Sequence, residues 1–339
     1  GHDGRAYLKD AIEKGAVVVL CEGPTEQCNW QNKIPVITMP HLRSQIGELA
    51  SKFYDEPTKA IKTIGVTGTN GKSSIAYSLS QALCSLDKPC GMVGTVGWGL
   101  PGNLAVSDFT TPGPIVLQGQ IAAMREQGAQ YLAMEVSSHA LDQARVSGIC
   151  YDVGILTNIT RDHFDYHGSM AQYAQAKLSL FENYCRGTAI INSDDPMVAS
   201  LINRLPSHLK KLTISCHDPS ADIYAKTLQC SLAGLDIQVM TPWGEIACQA
   251  GLLGRFNANN LLAVLASLLV LGVPLKKAAQ SLAQLPTVPG RMQIISGSSD
   301  QPKVIVDYAH TPDALEKALL EIKYICVGRH GCVFGCRRV

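Results

Sequence analysis

Thr67-Gly68-Thr69-Asn70-Gly71-Lys72-Ser73-Ser74 is the stretch that decides the fold. Before it, an apolar, β-branched segment over 61–66 reads as a buried strand. After it, Ile75-Ala76-Tyr77-Ser78-Leu79 opens a helical pattern. A glycine-rich turn between strand and helix lets backbone N–H groups converge on a phosphate at the positive helix N-terminus. Lys72 then reaches the outer phosphates, and Ser73 presents its hydroxyl to Mg²⁺. The match to G-x-x-x-x-G-K-[ST] is loose: Val66 stands five residues before Gly71, and the glycines fall at Gly65 and Gly68. A glycine turn with a surface lysine is the bland alternative. The strand–loop–helix context favours nucleotide binding.

The chain around this turn has 339 residues, enough for two or three domains with a sizeable core. A formal net charge of +1 carries no signature of nucleic-acid or anionic-membrane binding. Twelve cysteines are scattered, as at Cys21, Cys84, Cys150 and Cys216, and none has C-x-x-C spacing. Such thiols, without a signal peptide, fit a reducing cytoplasm, where they serve mostly as small core hydrophobes. The most apolar segment, 261–273, is too short to span a bilayer. The opening Gly-His-Asp-Gly-Arg has neither an initiator Met nor a targeting peptide, so the chain reads as a fragment or processed form. A monomer is expected.

Strands and helices alternate from residue 58 onward, which predicts an α/β fold with a mostly parallel, helix-covered sheet. Strands are expected over 61–66, 131–136, 153–158, 188–192 and 212–215, and helices over 73–85, 115–126, 170–181 and 259–271. Between 221 and 253 short alternating strands, with turns at Ala233-Gly234 and Pro242-Trp243-Gly244, read as an antiparallel insertion at the sheet edge. Residues 1–57 read as a partial N-terminal α/β unit, with a helix ending over 11–15 and strands over 16–20 and 34–37. Residues 58–288 form the central domain, and 289–339 begin a truncated C-terminal α/β domain with a strand over 304–306 and a helix over 312–320.

Open α/β sheets bind ligands at the carboxyl ends of their strands. Tyr131-Leu132-Ala133-Met134-Glu135 ends in a carboxylate placed to hold a metal beside the phosphate loop. A second strand end leads into Thr160-Arg161-Asp162-His163-Phe164-Asp165-Tyr166-His167. Glu135, Asp162, His163 and Asp165 together suggest an Mg²⁺ and proton-handling pocket, against the alternative of a solvated charged turn. Ser137, Ser138, His139, Gln143 and Arg145 suit a polar, anionic substrate, as do Thr110 and Thr111, although these hydroxyls could equally cap helices. Lys177 on its helix reads as a solvated lysine. Asn257 is a natural N-cap for the apolar helix, and Asn260 could meet a base edge.

The ordered segments GVTGTNGKSS, MEVSSHALDQARV, LTNITRDHFDYHGSMAQYAQAKLSLF, GRFNANNLLAV, PGRMQ and VDYAHTPDAL resemble the Mur ligase family of ATP-dependent amide-forming enzymes. TTPGP, SSHAL and DYAHTPDAL resemble the members that add a diamino acid, rather than L-alanine, D-glutamate or D-Ala-D-Ala. The likeness covers essentially the whole chain; GHDGRAYLKDAIEKGA resembles the latter part of the family's uridine-binding first domain.

This resemblance implies that ATP phosphorylates the D-glutamyl γ-carboxylate of UDP-MurNAc-L-Ala-D-Glu. The amine of a diamino acid, meso-diaminopimelate by prevalence in the family, then displaces phosphate. By matched position, Gly68, Thr69, Asn70, Gly71, Lys72, Ser73 and Ser74 hold the ATP phosphates. Ser73 and Glu135 hold one Mg²⁺; Glu135, His163 and a carbamylated Lys177 hold a second. Thr110, Thr111, Ser137, Gln143 and Arg145 match muramoyl-dipeptide contacts, Asn257 and Asn260 the adenine side, and Arg291 and Asp307 nucleotide contacts across a domain boundary. HGCVFGCRRV begins like a family strand, and the segment that recognises the diamino acid is expected beyond Val339. A folylpolyglutamate synthetase-type ligase, a catalytically incompetent nucleotide-binding fragment, and a P-loop kinase or GTPase are the competing readings.

Overall fold

Short β-branched runs bounded by turns become strands here, and longer amphipathic runs cover them as helices. The computed structural model describes residues 4–295, 302–309, 312–326 and 328–335. In the N-terminal unit, helix α1 (Leu8–Glu13) precedes β1 (Val19–Glu22), β2 (Gln27–Gln31) and β3 (Ile34–Met39), which form a sheet of order β1-β3-β2. The strand expected over 16–20 lies three residues later. Val17 and Val18 are exposed, and Val36 of β3 takes the buried place opposite Val19. Helix α2 (Leu42–Phe53), absent from the sequence reading, packs this unit against the central domain.

The central domain holds β4 (Lys62–Thr67), α3 (Lys72–Cys84), β5 (Cys90–Gly94), β6 (Gly97–Gly99), α4 (Pro114–Glu126), β7 (Tyr131–Glu135), α5 (Ser138–Asp142) and β8 (Tyr151–Leu156). It continues through α6 (Phe164–His167), α7 (Met170–Ser179), β9 (Cys185–Asn192), α8 (Pro196–Leu201) and β10 (Lys210–Ser215). A meander follows: β11 (Ile223–Ser231), β12 (Gly234–Thr241) and β13 (Gly244–Ala250). Helices α9 (Phe256–Val270) and α10 (Leu275–Ala283) complete it. One sheet of order β13-β12-β11-β10-β9-β8-β4-β7-β5-β6 runs through all of these strands. Its middle is parallel from β10 to β5, and β12 and β13 add the antiparallel edge expected from the turn signals.

Alternation along the strands builds two cores. Ile64, Val66, Ala133, Val153 and Ile155 face α3 and α9. Leu132, Met134, Tyr151, Leu156 and Ile191 face the side of α4, α5 and α7. Helix α9 is buried on nearly every side because it lies between the sheet, α3 and α10. The C-terminal unit pairs β14 (Gln293–Ile295) with β15 (Val304–Val306) antiparallel. Ala318 on α11 (Pro312–Ile325) joins Met292 and Leu253 in a small cluster. His310 and Thr311 of the DYAHTPDAL run, and the final Cys336-Arg337-Arg338-Val339, lie outside the described residues.

Gly65 at the centre of β4 leaves room for the buried Tyr151 ring; a Cβ there would sit 2.8 Å from Tyr151 Cδ1. Gly65→Ala is expected to lower unfolding stability by about 1–3 kcal/mol through overpacking. An unchanged urea midpoint and slope would show that the ring yields without cost.

Candidate active site at the phosphate loop

The turn from β4 to α3 adopts its shape because two glycines occupy left-handed backbone: Gly68 has φ of +145° and Gly71 +92°. A Cβ on Gly68 would run into Thr157 Oγ1, and one on Gly71 would lie 2.5 Å from Asn260 Oδ1. The loop is therefore pressed between β8 and α9. Its walls close a cavity of about 240 Å³ lined by Thr69, Asn70, Gly71, Lys72, Ser73 and Ser74. Thr95, Thr110, Glu135, Ser137, Asp162, His163, Lys177 and Arg291 also line it.

Thr69 and Asn70 do not offer their N–H groups to this cavity. Thr69 N–H donates to Asn158 O at 2.8 Å, and Asn70 N–H donates to Asn158 Oδ1 at 2.8 Å. Phosphate would therefore meet the N-terminal N–H groups of α3, which have no intrahelical partner. Lys72 Nζ folds back onto its own loop, donating to Gly68 O at 2.9 Å and Thr69 O at 2.7 Å. Burial lowers its pKa, while Glu135 and Asp162 pull it upward.

Glu135 closes β7 and is 1% exposed. Its Oε1 accepts Thr95 N–H at 2.7 Å, and its Oε2 accepts Ser73 Oγ–H at 2.9 Å. Burial raises its pKa, opposed by Lys72 and these hydrogen bonds. Gly94 is required opposite it, because a Cβ there would run into Glu135 Oε1. Ser73 Oγ also accepts from Arg291 Nη2 at 3.2 Å, so an arginine following the central domain reaches the phosphate loop. Among the described residues no three His, Cys, Asp or Glu side chains form a metal-binding group. The oxygen donors of Ser73 and Glu135 suit Mg²⁺, with substrate phosphates and water completing its shell.

Lys177 is not the solvated lysine of its local pattern: it is 1% exposed. Its Nζ donates to Gly68 O at 2.7 Å and lies 4.3 Å from the Tyr173 ring centroid. Burial, reinforced by Lys72, holds its pKa well below the usual lysine value. His163 is in left-handed backbone with φ of +52°, and its N–H donates to Asp162 Oδ1 at 2.9 Å. Its ring stacks edge-on against His139 at 4.8 Å. Asp165 lies on α6 and is not part of the cavity wall.

Thr111 Oγ1 donates to Glu135 O at 2.9 Å and accepts Ser137 N–H at 3.1 Å, so it locks the end of β7 rather than capping α4. Ser137 does cap: its Oγ accepts Ala140 N–H at 3.1 Å at the start of α5. Thr110 Oγ1 lies 3.0 Å from Thr95 Oγ1. Arg145 donates to Gln143 Oε1 at 2.6 and 2.9 Å and to Thr111 O at 3.1 Å. Gln143 and Arg145 line a neighbouring cleft shared with Arg43 and Leu42 of α2. Asn257 does not cap α9, which begins one residue earlier. Its amide donates to Leu253 O at 2.7 Å, and Asn260 donates to Asn257 Oδ1 at 2.8 Å. Asp307 faces its own chain, accepting N–H groups from Met292 and Ala309 at 2.8 Å each, and Tyr308 beside it lines the cavity. Thr95 and Tyr308 escaped the sequence reading. Thr95 makes its shortest bond to Glu135 through its backbone amide, for which no side-chain pattern exists, and its hydroxyl adds a longer one at 3.4 Å.

Residues 66–268 match the Mur ligase middle domain, and 290–338 match the Mur ligase glutamate ligase domain. The chain belongs to the Mur ligase family. It is 46% identical over 338 residues to a UDP-N-acetylmuramoyl-L-alanyl-D-glutamate–2,6-diaminopimelate ligase of Coxiella burnetii, covering 98% of this chain and 69% of that one. A solved structure bearing the same enzyme name superposes with a TM-score of 0.80 at 33% identity, over 95% of this chain and 65% of the other. The MurF ligase of Thermotoga maritima in complex with ADP shares the fold, with a TM-score of 0.65 at 18% identity over 94% and 69% of the two chains. This Mur ligase chain thus spans about two thirds of the length of such relatives. No helix among the described residues is long and apolar enough to cross a membrane.

Burial of the Lys177 ammonium costs stability wherever the unfolded chain carries that charge and the folded chain resists it. Lys177→Met is therefore expected to stabilise the nucleotide-free protein in CO₂-free buffer at neutral pH, read as a higher urea midpoint. The advantage should shrink as pH rises toward the ordinary lysine value of 10.5, because the folded state then holds no fewer protons than the unfolded one. A gap that stays constant across that range would contradict the buried-charge account.

Proposed function

We propose that the protein containing this chain is an ATP-dependent ligase that adds 2,6-diaminopimelate to UDP-MurNAc-L-Ala-D-Glu in peptidoglycan precursor synthesis. The observation that carries the reading is the gathering of Lys72, the Ser73–Glu135 pair, Lys177 and Arg291 on one cavity at the C-terminal strand ends. The name of the 46% identical relative supports the substrates. The division into 1–57, 58–288 and 289–339 is part of this proposal, with the nucleotide bound mainly by the second unit.

ATP would enter with its phosphates over the first turn of α3. Lys72 would leave the loop carbonyls for the outer phosphates, exchanging two carbonyl contacts for charged ones. Arg291 would approach the same phosphates from the other side, and Asn257 and Asn260 would lie toward the adenine. Mg²⁺, when bound, neutralises charge between the anionic phosphate and the anionic carboxylate that must meet it. Ser73 and Glu135 would hold one ion, and Glu135, His163 and carbamylated Lys177 a second. The neutral Lys177 amine, favoured by burial, would attack CO₂ and release a proton, converting an uncharged amine into an anionic carbamate ligand. Thr110, Thr111, Ser137, Gln143 and Arg145 would orient the dipeptide so that its carboxylate faces the γ-phosphate. The diamino acid amine would then displace phosphate from the acyl phosphate.

Lys72→Ala is expected to weaken Mg²⁺–ATP binding at least tenfold in calorimetric titration, since one lysine offsets several phosphate charges. Equal affinity in the variant would sink the phosphate-loop assignment. In a full-length version, Lys177→Ala should lose amide formation, with partial rescue by an added short-chain carboxylate. Unmodified amine density at Lys177 in a Mg²⁺–nucleotide crystal would count against carbamylation.

A further inference from the structure

The turn after β8 grips the phosphate loop by pairing the backbone groups of Thr69 and Asn70. Asn158 pairs with both backbone groups of Asn70: Oδ1 accepts its N–H at 2.8 Å, and Nδ2 donates to its carbonyl at 3.1 Å. One amide side chain thus does what an adjacent strand would do. Thr157 Oγ1 donates to the same Asn70 carbonyl at 2.6 Å. One residue earlier, Thr69 N–H donates to Asn158 O at 2.8 Å, and Thr160 N–H donates to Thr69 Oγ1 at 3.0 Å. The grip therefore extends over Thr157 to Thr160, directly before the cavity-lining Asp162 and His163.

We propose that Asn158 is a positioning residue for nucleotide, resting on the reading of this cavity as an ATP site. It clamps the two peptide groups flanking Asn70 in the orientation that turns Gly71, Lys72 and Ser73 toward the cavity. It also holds the phosphate loop at a set distance from the turn that carries Asp162 and His163. Asn158 is half-buried and outside the cavity wall, so it acts on phosphate through the loop. Asn70 is exposed, and without Asn158 the peptide before it loses its partner while Thr157 alone holds the one after it, which loosens the first N–H groups of α3. Preorganisation of this kind shows as affinity rather than as folding stability, because the clamped bonds are exposed and each adds little to the fold.

The test is titration of Mg²⁺–ATP into the 339-residue chain, its Asn158→Ala and Thr157→Val variants and the double variant, with a urea melt of each. Asn158→Ala should raise the Kd for ATP about five- to tenfold, the loss expected for one or two hydrogen bonds, with the unfolding midpoint nearly unmoved. Thr157→Val should weaken ATP in the same direction, and it decides the matter if Asn158→Ala fails to fold. The double variant should depart from the product of the two single effects, because both side chains hold one carbonyl. ATP affinity within twofold of the parent in both single variants overturns the proposal. So does a loss of affinity that merely tracks a fall in stability. A parent chain that fails to bind ATP would refute the nucleotide reading itself, which separates the two outcomes.

Discussion

Two lysine amino groups share one carbonyl oxygen, and much of the site follows from that crowding. Gly68 O accepts from both Lys72 and Lys177, while Glu135 sits nearby as a buried carboxylate. Removing such charges from water is costly unless each is paired and hydrogen-bonded. Among the described residues, no carboxylate bonds either lysine: Lys72 bonds to loop carbonyls, and Lys177 bonds to one carbonyl and lies over the Tyr173 ring. A polyanion is the partner that would complete the pairing. The stability surrendered at this point is a common property of sites built to bind charge.

The parallel sheet makes the crowding possible. Parallel strands buried on both faces direct all their C-terminal ends to one edge, so Thr67, Glu135 and Leu156 end near one another although far apart in sequence. Side-chain size then sets how close they come. Gly65 admits Tyr151, Gly94 admits the Glu135 carboxylate, and Gly68 admits Thr157, each where a methyl group would collide. The large cores on the two faces, anchored by α9 on one side and Tyr151 and Phe181 on the other, resist relaxation of these contacts.

The central sheet, the phosphate loop and the edge meander were legible because each rests on a local signal: an apolar run, a glycine turn, a period of two. The N-terminal unit was not. Every residue of β2 is exposed, and Val17 and Val18 lie outside the strand that their β-branched character predicts, so hydrophobic pattern had little to report there. The role of Asn257 was misread because capping depends on where α9 begins, and it begins at Phe256 rather than Asn259. Lys177 looked solvated because a Tyr one helical turn away does not by itself announce burial; the tertiary approach of Gly68 over that turn creates it. Thr95 and Asn158 act by pairing with a carboxylate or a peptide distant in sequence, a relation that no single-chain spacing encodes.

Among the described residues, the C-terminal unit meets this machinery at Glu321, Tyr324 and Arg291. Glu321 on α11 accepts both the backbone N–H of Arg255 at 2.9 Å and its Nε at 3.0 Å, and the Arg255 guanidinium lies 4.2 Å from the Tyr324 ring centroid. Arg291 then crosses to Ser73. The hydrophobic cluster joining the units is small, built on Leu253, Met292 and Ala318. Among the described residues, the attachment thus combines directional polar bonds with a small apolar cluster. Because Arg291 bonds the same hydroxyl that bonds Glu135, any motion of that unit acts directly on the residues proposed to hold Mg²⁺ and phosphate. Closure and catalysis would then share one hydrogen-bond network, and the position of the C-terminal unit would be felt at Ser73 before any substrate touched it.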